Sequence, residues 1–194
     1  MSTGQQTETG TRARTRAAIL EAAVVVLAQD AQASLADVAA AAGVGRTTLH
    51  RYFPERADLV HALARHVVHQ SRRAIERADP HTGPVEAVLR RIVDEHFELG
   101  SILMYLYAEP LIHSDPDLAA ELAAMEEAID EVLARPEANL NPDLSRAWVR
   151  RAFWGLLYAG WETAKAGEMT RHQIVEAIMT TLSRGVYGAT SAAR

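Results

Sequence analysis

The strongest constraint on this chain is a spacing. Val85, Val88, Leu89, Ile92, Val93, His96, Phe97 and Gly100 recur at i, i+3, i+4 and i+7 without a miss. Only an α-helix gathers such positions on one face. The same period returns along most of the chain, and no stretch alternates apolar and polar residues at period two. Alanine, the best helix former, supplies 36 of the 194 residues. The expected fold is all-α, with about nine helices: a three-helix N-terminal unit and a larger C-terminal helical domain.

Punctuation divides this pattern. Residues 1–10 are rich in Thr, Gln and Gly and read as a disordered arm. A first helix follows from Thr11 to Gln29 with Ala13, Ala17, Leu20, Ala23, Val24 and Leu27 on one face. Two short helices occupy the stretch up to Phe53, which Pro54 closes. A connecting helix over 55–77 carries Leu59, Leu63, Val67, Ser71 and Ile75 along one side. The breaker cluster Asp79–Pro84 sets a domain boundary near Arg77. Beyond it come the helix opened at Val85, a short one over 101–109, and one started by Asp115-Pro116. Two last helices, over 143–166 and 170–187, complete the 78–194 domain.

Charge separates the same two parts. Residues 1–77 hold ten arginines against seven acids, and residues 78–194 hold ten bases against eighteen acids. A basic module on an acidic body fits a nucleic-acid partner better than the net charge of −5 suggests. With no cysteine, disulfides and thiolate chemistry are excluded. No run of 18 apolar residues and no apolar segment near the start point to a membrane, so a cytoplasmic location is expected.

The most informative stretch is Ser34–Phe53, SLADVAAAAGVGRTTLHRYF. It reads as helix, glycine turn, helix. Ser34 is an N-cap with Asp37 three residues on, a variant of the capping box. Gly43 suits a left-handed turn, and Val44 plugs the corner. Leu49 and Phe53 turn inward. That leaves Arg46, Thr47, His50 and Arg51 outward, a face with donors and acceptors for base edges and phosphates.

These residues resemble the helix-turn-helix of the TetR family of transcriptional regulators. The matching positions are Ser34, Leu35, Val38, Ala39, Ala42, Gly43, Val44, Thr48, Leu49, Tyr52, Phe53, Arg56 and Leu59. Gly45 departs from the family's usual Ser or Thr cap, and His50 from its usual Tyr. The resemblance implies DNA contacts from Ser34, Arg46, Thr47, Thr48, His50, Arg51 and Tyr52. It implies backbone or minor-groove contacts from Arg12, Arg14 and Arg16, and a phosphate contact from Arg56. It further implies a homodimer on a pseudo-palindromic operator, its last two helices pairing across a two-fold axis, and an effector that acts through the connecting helix.

The C-terminal part carries two further expectations. His96, Phe97, Met104, Tyr105, Tyr107, Met125, Trp154 and Tyr158 mix aromatic rings, soft Met and a few polar tips, which suits an effector pocket. His96 is read either as a satisfied core histidine or as a pocket residue. The helix over 143–166 is apolar nearly all round from Ala152 to Trp161, so it needs a partner on a second side. Gly155, Ala159, Ile174, Ile178 and Leu182 are the expected dimer interface. His61, His66 and His69 share a helix without any zinc signature, so neither metal nor cofactor is expected. Two rival readings stand beside this one: an enzyme or small-molecule carrier, for which no nucleophile–base set or phosphate loop exists, and a structural helical dimer that does not bind DNA.

Overall fold

The computed structural model describes residues 3–100, 102, 103 and 115–185. Eight α-helices lie within them: α1 Thr3–Gln29, α2 Leu35–Ala41, α3 Arg46–Tyr52, α4 Arg56–Arg77, α5 Val85–Phe97, α6 Pro116–Leu133, α7 Arg146–Lys165 and α8 Arg171–Gly185. No strand occurs among the described residues. Of the short helix expected over 101–109, Ile102 and Leu103 are helical and buried, and the rest lies outside the described residues.

The first helix starts at Thr3, not Thr11, so the backbone is helical through part of the stretch read as an arm. Its core contact begins only at Ile19. Ile19, Leu20, Ala23 and Leu27 are buried, whereas Ala13 is exposed. α2 packs on α1, and α3 on α2. Gly43 closes α2 with φ +65°, a conformation that costs a residue with a Cβ dearly. The Gly43 and Val44 amides donate to the Ala40 and Ala39 carbonyls, which completes a Schellman turn.

Contacts divide the chain into two compact units, Met1–Val67 with Ile102–Ala119, and Val68–Ser101 with Ala120–Arg194. The division falls inside α4 rather than after Arg77. The α4 stripe of Leu59, Leu63, Val67, Ser71 and Ile75 is buried throughout, as the spacing predicts.

In the second unit α8 packs on α5 and α7. Gly160 sets how closely α7 and α8 approach, because a Cβ there would stand 2.6 Å from Ile174 Cγ2. The connection after α4 is tied down by two arginines. Arg91 donates to the carbonyls of Ala78 (2.6 Å), Asp79 (2.9 Å) and Thr82 (2.7 Å), and Arg135 donates to that of Gly83 (2.7 Å). Those carbonyls have no helix to accept from, so a guanidinium fork is an economical partner for several at once.

Candidate nucleic-acid interface and interior site

α3 is seven residues long and buries one of its residues, Leu49. Phe53 follows as its buried C-cap. Arg46, Thr47, His50 and Arg51 are exposed, while Thr48 and Tyr52 are half-buried. The helix thus turns to solvent the face that its spacing predicts. Its N-cap Gly45 offers no side-chain hydrogen bond to the first turn of α3.

The arginines are organised around two rings. Arg12 of α1 and Arg51 of α3 lie 5.8 and 5.7 Å from the centre of the Tyr52 ring. Arg16, one turn along from Arg12, lies 5.4 Å from the Phe53 ring. Each contact is worth about 0.5–1 kcal/mol at an exposed site. Together they hold three guanidinium groups beside the end of α3. Arg14 stands apart, with its Nη2 donating to Thr11 Oγ1 at 3.3 Å.

Three residues expected at the interface have other commitments. Arg56 donates to the carbonyls of Ala33 (2.6 Å) and Ala31 (2.7 Å). It therefore clamps α4 to the α1–α2 turn, a contact 23–25 residues distant in sequence. Ser34 caps α2: its hydroxyl donates to Asp37 Oδ2 at 2.6 Å and accepts from the Asp37 amide at 3.3 Å. Those Ser34 hydrogen bonds hold the Asp37 carboxyl below its ordinary range. His50 Nδ1 lies 3.3 Å from the Pro54 carbonyl.

The second unit holds a different kind of site. Ser71 and His96 are both 0% exposed and are the buried polar side chains of the described core. Ser71 Oγ lies 2.7 Å from His96 Nε2, and His96 Nδ1 lies 2.9 Å from the Ile92 carbonyl. A carbonyl only accepts, so Nδ1 carries the proton and the Ser71 hydroxyl donates to Nε2. Burial lowers the His96 pKa to about 4, which leaves the ring neutral. The Trp154 ring meets His96 edge-on at 5.2 Å between centroids, and Phe153 meets Trp154 at 5.3 Å. Trp154 is 5% exposed, and its Nε1–H has no hydrogen-bond partner among the described residues. Trp161 Nε1 donates to the Phe97 carbonyl at 3.3 Å.

Of the expected pocket residues, His96, Met125 and Trp154 are buried in this unit and Phe97 is half-buried. Met104, Tyr105 and Tyr107 lie outside the described residues. Tyr158 is a correction. It is 42% exposed, on the outer face of α7 with Gly155 and Ala159. Ile174, Ile178 and Leu182 are mostly covered within their own unit, and Ile174 and Ile178 line a groove with Ala159. Sequence reasoning placed Ser71 in the α4 stripe but gave it no role. The signal was there: one hydroxyl in an apolar stripe and one imidazole in another each require a partner. Among the described residues, no group of three or more His, Asp or Glu could hold a metal.

Comparison with known proteins agrees with this arrangement. Residues 19–63 match the family model described as bacterial regulatory proteins, tetR family. The HTH-type transcriptional repressor LfrR of Mycolicibacterium smegmatis is 55% identical over 184 residues, 95% of this chain and 96% of that protein. The crystal structure of LfrR from Mycobacterium smegmatis in complex with proflavine superposes with a TM-score of 0.81, covering 92% of this chain and 99% of that one. A second LfrR crystal structure, at 48% identity, gives 0.67 over 88% and 99%. Identity of that order over nearly the whole of both chains goes beyond a shared fold, and this chain is a transcriptional regulator belonging to the tetR family of bacterial regulatory proteins.

Proposed function

We propose that the chain is a ligand-responsive repressor that binds a pseudo-palindromic operator as a homodimer. α3 enters the major groove, with Arg46, Thr47, His50 and Arg51 toward base edges and Thr48 and Tyr52 at its margin. Arg12, Arg14 and Arg16 of α1 meet the backbone or minor groove. The observation that carries this reading is the guanidinium cluster held on Tyr52 and Phe53. It concentrates positive charge at one end of an exposed, polar helix. Ser34 and Arg56 serve the interface by fixing α2 and α4 rather than by touching DNA.

Repression by a dimer requires two copies of α3 about 34–36 Å apart, one helical turn of DNA. The surface we assign to dimerisation is the outer face of α7. Trp148 (51% exposed) and Tyr158 stand on it, with small Gly155 and Ala159 between. Large aromatic side chains left open on one helix face suit a partner surface.

The effector site we assign to the interior of the second unit around His96, Phe97, Met125 and Trp154. LfrR crystallised with proflavine, and a planar aromatic effector suits a core of aromatic edges here. Fluorescence anisotropy on a duplex selected from random sequence, with and without proflavine, tests all three parts. The expected result is tight, salt-sensitive binding that proflavine weakens. Equal affinity for selected and scrambled duplexes would sink the repressor reading.

A further inference from the structure

We propose that Trp154, His96 and Ser71 form the line through which an effector acts on α4, entered by a hydrogen-bond acceptor on the ligand at Trp154 Nε1. The proposal rests on the effector reading above. Ser71 and His96 belong to different helices, α4 and α5, and Trp154 to a third, α7. All three side chains are nine-tenths buried or more.

Each link has a defined direction. The Ile92 carbonyl fixes the proton on His96 Nδ1, so Nε2 presents one lone pair, and only the Ser71 hydroxyl meets it, at 2.7 Å. A pair of apolar side chains could fill the same space in many registers. This pair fits in one, because sliding or rotating α4 by more than about an ångström takes the hydroxyl out of the bonding range and leaves two buried groups unsatisfied. The far side of His96 rests against the Trp154 ring at 5.2 Å and 69°.

Trp154 supplies the entry. Its Nε1–H is buried and unpartnered among the described residues, and such a donor is a standing cost that a ligand acceptor relieves. His96 cannot offer a second handle without giving up Ser71 or Ile92, since both ring nitrogens are engaged. The ligands that use this entry are therefore flat aromatic molecules with a carbonyl or unprotonated ring nitrogen at the edge, whereas a protonated tricycle occupies the same core through its rings alone. Taking up the indole N–H moves the ring that His96 rests on. Ser71 then keeps its bond in only one of two α4 positions. A ligand needs that difference, because equal affinity for both positions shifts nothing.

Two tricyclic probes separate the parts: proflavine, whose ring nitrogen is protonated at neutral pH, and 9-acridone, neutral with a carbonyl acceptor. Affinity is read by probe fluorescence, and coupling as the ratio of operator Kd with saturating probe to that without. Trp154→Phe keeps a ring and removes the N–H. It is expected to weaken acridone about tenfold and proflavine less than about threefold. Ser71→Ala is expected to leave acridone affinity within about twofold and to bring coupling from about tenfold in the parent to below about twofold. Ser71→Ala/His96→Leu removes both polar groups, so it restores an unstrained core. It too should lack coupling, whereas a merely structural role predicts that coupling returns with stability. Full coupling in either Ser71 variant, equal loss of both probes in Trp154→Phe, or failure of acridone to bind the parent would overturn the proposal. Failure of both probes to bind the parent would instead remove the effector reading itself.

Discussion

The two units solve opposite problems. At the end of α3, charged groups stay in water and are positioned by rings: Arg12 and Arg51 on Tyr52, Arg16 on Phe53. Around His96, polar groups are taken out of water and must be matched atom by atom. The first arrangement tolerates substitution and depends on salt. The second tolerates little and ignores salt. Variants of each region should therefore fail in different measurements.

The largest expected effect lies in the interior. Phe153 is fully buried against Trp154. Phe153→Ala removes a ring and leaves a cavity, at a cost of about 3–5 kcal/mol in urea unfolding. The slope of operator affinity against salt should stay as in the parent. A change of slope without loss of stability would dissolve the contrast between the units.

Nearly as large is the acid response of His96. Its folded pKa is lowered to about 4, from an ordinary value of 6.5. Between those values the unfolded chain binds a proton that the folded chain refuses. Stability attributable to this ring is thus whole above about pH 6.5 and is lost as pH falls, by roughly 3 kcal/mol once pH 4 is passed. His96→Leu should flatten the unfolding profile over that window relative to the parent. Parallel profiles for parent and variant would show that the ring is not held neutral by burial.

These two regions were not equally legible. The outward face of α3 follows from local spacing, and Leu49 fixes its orientation. Ser34 and Asp37 are three residues apart, so their cap is written locally too. The stripes of α4 and α5 announced which residues are buried but not against what. Ile174, Ile178 and Leu182 show the gap: their spacing predicts cover but not that most of it comes from their own unit. Tyr158 is illegible for a different reason: an all-round apolar helix does not reveal which of its sides is covered. The Arg56 clamp is not legible locally because its carbonyl partners lie 23 and 25 residues away, beyond any periodic signal.

Arg51 and Arg56 sharpen the comparison within one unit. Arg51→Ala removes an exposed cation and should cost ~1–3 kcal/mol of operator affinity, lower the salt slope by about one if it meets a phosphate, and cost no more stability than the ~0.5–1 kcal/mol of its contact with Tyr52. Arg56→Ala removes two hydrogen bonds to otherwise unpaired turn carbonyls. It should cost ~1–2 kcal/mol of stability, discounted for partial exposure, and leave the salt slope unchanged. Unfolding and salt-titration curves for the two variants give a direct exchange of signatures. If Arg56→Ala lowers the slope like Arg51→Ala, the clamp releases to reach DNA.

The smallest effect is at Gly45, where the two kinds of site meet in one residue. It occupies the N-cap of α3 with φ −70° and ψ 149°, extended values that serine adopts without strain. Beyond its own chain neighbours, no atom lies within 4 Å of where its Cβ would be, so a side chain fits. Gly45→Ser supplies the missing hydroxyl to an amide of the first turn and should raise stability by a few tenths of a kcal/mol. The same hydroxyl takes up an amide that a phosphate could otherwise use. If α3 meets the backbone with its N-terminus, the two uses compete, and operator affinity should fall as stability rises. It would rise if the hydroxyl itself donates to phosphate while its oxygen accepts from the helix. Thermal unfolding and anisotropy on one preparation separate these outcomes. A stability gain with unchanged affinity for operator and scrambled duplex alike would place the N-terminus of α3 away from DNA, leaving recognition to Arg46, His50 and Arg51 farther along the helix.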